Sequence, residues 1–159
     1  MKGIYILLVH LQRSAAVEVG SLGVLPFDKG WYAYVGSAMR GIEARVGRYF
    51  RAVRKRRWHI DYLIDHGVIE SLFLLETSRR LECFVAGSLS SSLTGIPRFG
   101  CSDCRCLTHL FYHPDRVGME NAVSETLTKF GRSHDRPGNK RRLFAVPGVR
   151  IVYYSDRTG

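Results

Sequence analysis

The chain has 159 residues, of which 45% are hydrophobic, 24% charged and 11% aromatic, a balance that suits one compact domain and excludes a disordered tail, a fibrous repeat or two full-sized domains. Its 24 lysines and arginines outnumber 14 acids for a formal charge of +10, concentrated in two stretches: eight basic side chains from Arg40 to Arg57 against Glu43 alone, and eight from Lys129 to Gly159 against Asp135 and Asp156. No apolar run approaches the roughly 20 residues that cross a bilayer, and no small-residue cleavage site follows the first apolar run, so a cytoplasmic location is expected.

Gly3 to Leu11 is an almost unbroken apolar run, predicted as a central strand buried on both faces. A second extended stretch is expected around Val17-Glu18-Val19. Turn residues Gly20, Gly23, Pro26 and Asp28-Lys29-Gly30 follow, and then a strand over Trp31 to Gly36. The period then changes: Ile42, Val46, Tyr49 and Val53 fall on one face of a helix whose other faces carry arginines. Trp58 and the run Ile60 to Ile64 predict a shorter helix ended by Gly67, after which Val68 to Leu75 returns as a strand. Ser78 is the expected N-cap of a third helix with Leu81, Phe84, Val85 and Leu89 as its stripe, stopped by Gly95 and Pro97. Gly100 to Thr108 reads as a cysteine-rich loop, His109 to His113 as a short extended segment and Met119 to Phe130 as a helix. Gly131 to Pro147, polar, basic and broken by Pro137-Gly138-Asn139, is expected as a mobile arm. The expected fold is a small α+β domain with a three-stranded mixed or antiparallel sheet flanked by helices.

Four cysteines are present, Cys83, Cys101, Cys104 and Cys106, three of them within six residues and with no export signal, which favours thiols or metal ligands over a disulfide framework. Cys101, Cys104, Cys106 and His109 place four candidate zinc ligands within nine residues, although the spacing is more compact than in two-part zinc modules. Cys83 is read as a small helix residue.

The basic patches are the footprint of a polyanion ligand, and guanidinium forks suit phosphate; a solvated basic face is the plainer alternative. On strands, residues two apart share a face, so Tyr5 and Tyr34 share one surface if their strands are neighbours. A phenol becomes a base near neutral pH only where a nearby cation favours the phenolate, and Arg45 is the candidate neighbour. Gly36 would let backbone approach a phosphate with Ser37 as donor, while Arg48, Arg51, Arg54 and Lys55 would track the phosphates of a bound strand. Glu82 sits at the border of the third helix's apolar face, where it can hold a divalent ion or simply pair with Arg79 at i−3. His59 is a candidate proton relay or phosphate donor, and equally a structural residue.

Gly3-Ile4-Tyr5, then Tyr34-Val35-Gly36, then Arg45, His59 and Glu82 in that order resembles the GIY-YIG endonuclease superfamily. The Trp58-His59-Ile60-Asp61-Tyr62 and Ser102-Asp103-Cys104-Arg105-Cys106 stretches resemble a small, Uri-like prokaryotic branch of it. The resemblance covers residues 1–113 as a nuclease domain and leaves 114–159 as a basic C-terminal extension of one helix plus the arm. It implies metal-dependent hydrolysis of DNA phosphodiester bonds, with Tyr5, Tyr34, Arg45, His59 and Glu82 catalytic and Glu82 holding one Mg²⁺ or Mn²⁺; a repair protein is a further expected partner, above all for a form of the protein that binds without cutting. The asparagine that commonly follows the family's glutamate has no clear counterpart. Two other classes fit parts of the pattern: a non-cleaving nucleic-acid-binding module of the same fold, and a zinc-stabilised RNA-binding protein.

Overall fold

The computed structural model describes residues 1–53, 55–134 and 145–157. Among the described residues nine strands follow in order: β1 (Gly3–Leu11), β2 (Ala15–Glu18), β3 (Val24–Phe27), β4 (Gly30–Ala38), β5 (Val68–Glu76), β6 (Thr94–Gly95), β7 (Leu110–His113), β8 (Gly131–His134) and β9 (Arg150–Asp156). Seven of them form one mixed sheet in the order β6-β7-β4-β1-β5-β9-β8, and β2 with β3 forms a separate hairpin. This corrects the expected three-stranded sheet. The stretch around Val17 pairs within its own hairpin, so it never joins β1. The sheet instead grows at both edges through short strands and through β9, which runs parallel to β5. Such a pairing joins distant segments, and no local pattern encodes it.

β1 is the central strand that its sequence predicts, flanked by β4 and β5, both antiparallel to it. Its side chains alternate between two cores: Tyr5, Leu7 and Val9 enter one, and Ile4, Ile6 and Leu8 the other. Burial on both faces explains why no polar residue interrupts the run from Gly3 to Val9.

The Tyr5 face is covered by the β2–β3 hairpin and by two short helices, α1 (Ile42–Gly47) and α2 (His59–Ile64). α1 is shorter than predicted. Ile42, Val46 and Tyr49 form the buried stripe, but a 3-10 turn over Arg48–Phe50 ends it and leaves Val53 89% exposed. The opposite face packs against α3 (Glu82–Ser90) and α4 (Arg116–Phe130), which contribute Val85, Ala86, Leu89, Met119, Val123 and Leu127. α3 begins at Glu82, later than a cap at Ser78 would place it. Thr77 Oγ1 accepts the Arg79 N–H at 3.0 Å, and Arg79 forks onto Asp156 of β9 at 2.6 and 2.7 Å, which holds this stretch as a turn.

From residue 114 onward, α4, β8 and β9 share the sheet and core of the preceding residues. Gly131–His134, expected within the mobile arm, forms β8; residues 135–144, most of the rest of that arm, lie outside the described residues. Among the described residues no helix is long and apolar enough to cross a membrane.

Candidate active site

A cavity of about 280 Å³ opens where β1 begins and β4 ends, lined by Tyr5, Tyr34, Gly36, Ser37, Arg45, Arg57, Trp58, His59, Glu82, Gly100, Ser102 and Asp103. All five side chains singled out as catalytic from the sequence meet there, although they come from two strands and three helices.

The sheet register brings the tyrosines together. Gly36 lies opposite Tyr5 and Tyr34 opposite Leu7, so the two rings project from one face as diagonal neighbours with centroids 6.4 Å apart. Gly36 is spent on this packing: an added Cβ would overlap the Tyr5 ring. The Tyr5 hydroxyl lies 2.6 Å from that of Tyr49, a residue the sequence offers only as part of the α1 stripe. Burial, reinforced by the neighbouring tyrosines, raises Tyr5 well above the ordinary phenol value, and burial followed by Tyr49 and Glu82 raises Tyr34 likewise. Arg45 pulls both in the opposite direction and is outweighed. Both groups are neutral phenols, hydrogen-bond donors in place of the phenolate that an adjacent arginine was expected to favour.

Arg45, in the last turn of α1, places its guanidinium 4.4 Å from the centre of the Trp58 ring, which braces the cation at the cavity wall. His59 opens α2. Its Nδ1 accepts the Gly100 N–H at 2.9 Å, and burial lowers its pKa. A neutral imidazole that accepts at Nδ1 carries its proton on Nε2, so the remaining nitrogen is a donor.

Glu82 is the first residue of α3. Arg79, the competing partner at i−3, is committed to Asp156, which leaves the carboxylate to the cavity. Burial alone would raise Glu82, but the neighbouring His109 and Ser37 and the charge of Arg45 hold it below the ordinary carboxylate value. His109 Nδ1 lies 2.9 Å from Glu82 Oε1, close without being a well-aligned hydrogen bond. An ionised carboxylate with a cavity in front of it, roomy enough for water and a phosphate oxygen, fits a hard divalent cation.

The expected phosphate-tracking residues divide. Arg48 forks onto buried Asp61 at 2.6 and 3.0 Å and donates to the Lys55 carbonyl, so it belongs to the scaffold. Asp61 also accepts the N–H groups of Arg57 and Trp58, which caps α2. Arg51 and Lys55 are exposed. Arg54 lies outside the described residues. Arg57 and Trp58, not among the site residues expected from the sequence, also line the cavity.

Beside the cavity, Cys83, Cys104, Cys106 and His109 bring four ligand atoms within 4.8 Å of one another and could hold a metal ion. This corrects the set expected from spacing. Cys101 is not a member, and its Sγ instead faces the Leu107 carbonyl at 3.8 Å. The fourth ligand arrives from α3, twenty-one residues earlier than Cys104, which a local spacing rule cannot see. Desolvation raises the Cys83 thiol, which disfavours a thiolate nucleophile there.

No curated protein and no solved structure matches the chain. Residues 4–132 match the family model described as "Domain of unknown function DUF123", and with most of its length so covered the chain belongs to that family.

Proposed function

We propose that the protein is a metal-dependent endonuclease that hydrolyses DNA phosphodiester bonds, as its resemblance to the GIY-YIG superfamily implies. The observation that carries this reading is the convergence of Tyr5, Tyr34, Arg45, His59 and Glu82 on one cavity. A binding-only module has no chemical need for an ionised carboxylate facing an arginine across such a space.

Glu82 would hold one Mg²⁺ or Mn²⁺ through its carboxylate oxygens. When bound, the ion supplies Lewis-acid stabilisation of charge on the nonbridging and leaving oxygens. Arg45, braced on Trp58, adds a fixed positive charge toward the pentavalent phosphorane. The Nε2–H of His59 and the Tyr34 hydroxyl donate to phosphate oxygens and orient the strand. Tyr5, neutral and 2.6 Å from Tyr49, positions the attacking water through its hydroxyl, and the water gives its proton to solvent in the open cavity as it attacks.

The test is cleavage of supercoiled plasmid and of labelled single-stranded and branched oligonucleotides with Mg²⁺, Mn²⁺ or EDTA, for the wild type, Glu82→Ala and Tyr5→Phe. Metal-dependent cutting lost in both variants supports the reading. Salt-sensitive binding with no cutting of any substrate overturns it in favour of a binding module.

A further inference from the structure

We propose that Cys83, Cys104, Cys106 and His109 form a tetrahedral zinc site, and that the zinc fixes His109 as a positioning residue for Glu82. The zinc site stands independently of the nuclease reading; only its effect on Glu82 rests on that reading.

Three thiols and one imidazole are a soft donor set that selects zinc over the hard cations suited to Glu82. The geometry is close to a finished centre. Cys104 Sγ and His109 Nε2 are 3.5 Å apart, against about 3.5 Å for a sulfur and a nitrogen on neighbouring corners of a zinc tetrahedron. All four donor atoms lie within 4.8 Å, so they need to close by only about 1 Å to reach the spacing of such a centre. On binding, each thiol gives its proton to solvent and becomes a thiolate, and the completed centre carries a net charge of −1.

The loop itself argues for a metal. From Cys101 to Leu107 no side chain is buried, and Leu107 is 87% exposed, so apolar packing does not hold these residues where they are. A zinc would tie the loop to α3 through Cys83. It would also steady Gly100 at the loop's base, whose N–H orients His59.

His109 is 1% exposed and has its two nitrogens in different environments: Nε2 toward Cys104 and Nδ1 toward Glu82 Oε1 at 2.9 Å. Metal on Nε2 leaves the ring proton on Nδ1, the nitrogen 2.9 Å from the carboxylate, and a small turn of the ring as the metal binds gives the arrangement by which a ligating histidine is oriented by an acid beyond it. Here the same link runs outward: the zinc sets the tautomer, and the ring steers the carboxylate that faces the cavity. The negative charge of the centre also favours a second, hard cation at Glu82.

The test begins with the full chain purified under reducing conditions without chelator. Elemental analysis should find one zinc per chain in the wild type and in Cys101→Ser, and loss of zinc in Cys83→Ser and Cys106→Ser. Since a cysteine variant can fail to fold, the wild type is also stripped of metal and titrated with Co²⁺, which should develop thiolate-to-cobalt charge transfer saturating at one ion per chain. Long-range proton–nitrogen spectra of the zinc-loaded wild type should show His109 protonated at Nδ1. A wild type that neither carries zinc nor takes up Co²⁺ when reduced, or zinc loss in Cys101→Ser equal to that in Cys83→Ser, overturns the site. A proton on Nε2 of His109 overturns the link to Glu82. None of these readouts depends on DNA cleavage, so failure of the nuclease reading leaves the zinc result intact.

Discussion

Asp61 and Glu82 are both held below the ordinary carboxylate range, by different surroundings and with different consequences. For Asp61, burial raises the pKa, but the Arg48 fork and the N–H groups of Trp58 and Arg57 more than offset it. A depressed folded value means that the stabilisation is complete above the unfolded pKa, about 3.9, and is lost as pH falls through the lower folded value. Acidification from pH 5 toward pH 2 should therefore destabilise the wild type more steeply than Asp61→Asn, as measured by denaturant unfolding at each pH. Arg48→Ala removes the guanidinium fork from the buried Asp61 carboxylate and should cost about 1.5–3 kcal/mol at neutral pH, the worth of hydrogen bonds to a charged group. Tyr49→Phe removes the partner of the Tyr5 hydroxyl and should cost about 1 kcal/mol. Because Tyr49 holds the Tyr5 hydroxyl in place for the attacking water, cleavage should fall in this variant well beyond what its lost stability explains, and equal cleavage at a temperature where both proteins are folded would exclude that positioning role.

Two glycines test how the elements place these side chains. Gly36 on β4 gives up its side-chain volume to the Tyr5 ring of β1, so Gly36→Ala must push the ring or separate the strands. Overpacking of this kind costs about 1–3 kcal/mol, and displacement of Tyr5 should lower cleavage as well. Gly87, inside α3, has open space where a Cβ would stand, so Gly87→Ala should stabilise the fold by about 0.5–1 kcal/mol with cleavage unchanged. Thermal melts beside a cleavage assay separate the two. At this scale the sequence was legible wherever one element carries its own pattern. β1, β4 and β5 declare themselves by apolar runs, and the α1 stripe by its spacing as far as Tyr49. The convergence of Tyr5, Tyr34, Arg45, His59 and Glu82 followed from their order along the chain by resemblance, not from any local rule. Pairings between distant segments stayed hidden: β9 beside β5, Cys83 beside Cys104, Arg79 on Asp156. Each is made by side chains or strands whose partners lie outside any window in which periodicity can be read.

Over the whole molecule, formal charge overstates the surface available to a nucleic acid. Of the eight basic residues from Arg40 to Arg57, Arg48 is committed to Asp61 and Arg56 to Asp65, while Arg45 and Arg57 line the cavity and Arg51 and Lys55 are exposed nearby. Each phosphate neutralised contributes about 0.9 to the slope of log affinity against log salt. Four such contacts predict a slope of about −3.6, which is about a hundredfold loss of affinity between 50 and 200 mM salt. Under the proposed function Arg57, which lines the cavity, meets one phosphate, so Arg57→Ala should reduce the slope by about one. Arg48→Ala should weaken the fold and leave the slope of the remaining folded protein unchanged, because its charge is spent within the protein. Fluorescence anisotropy titrations over a salt series, run below the melting temperature of each variant, distinguish the two arginines. An equal loss of slope in both would mean that the Arg48–Asp61 pair opens to meet the strand, and that the cavity mouth is wider than the arrangement around Trp58 allows. A wild-type slope near zero would remove the basic face from the binding surface altogether.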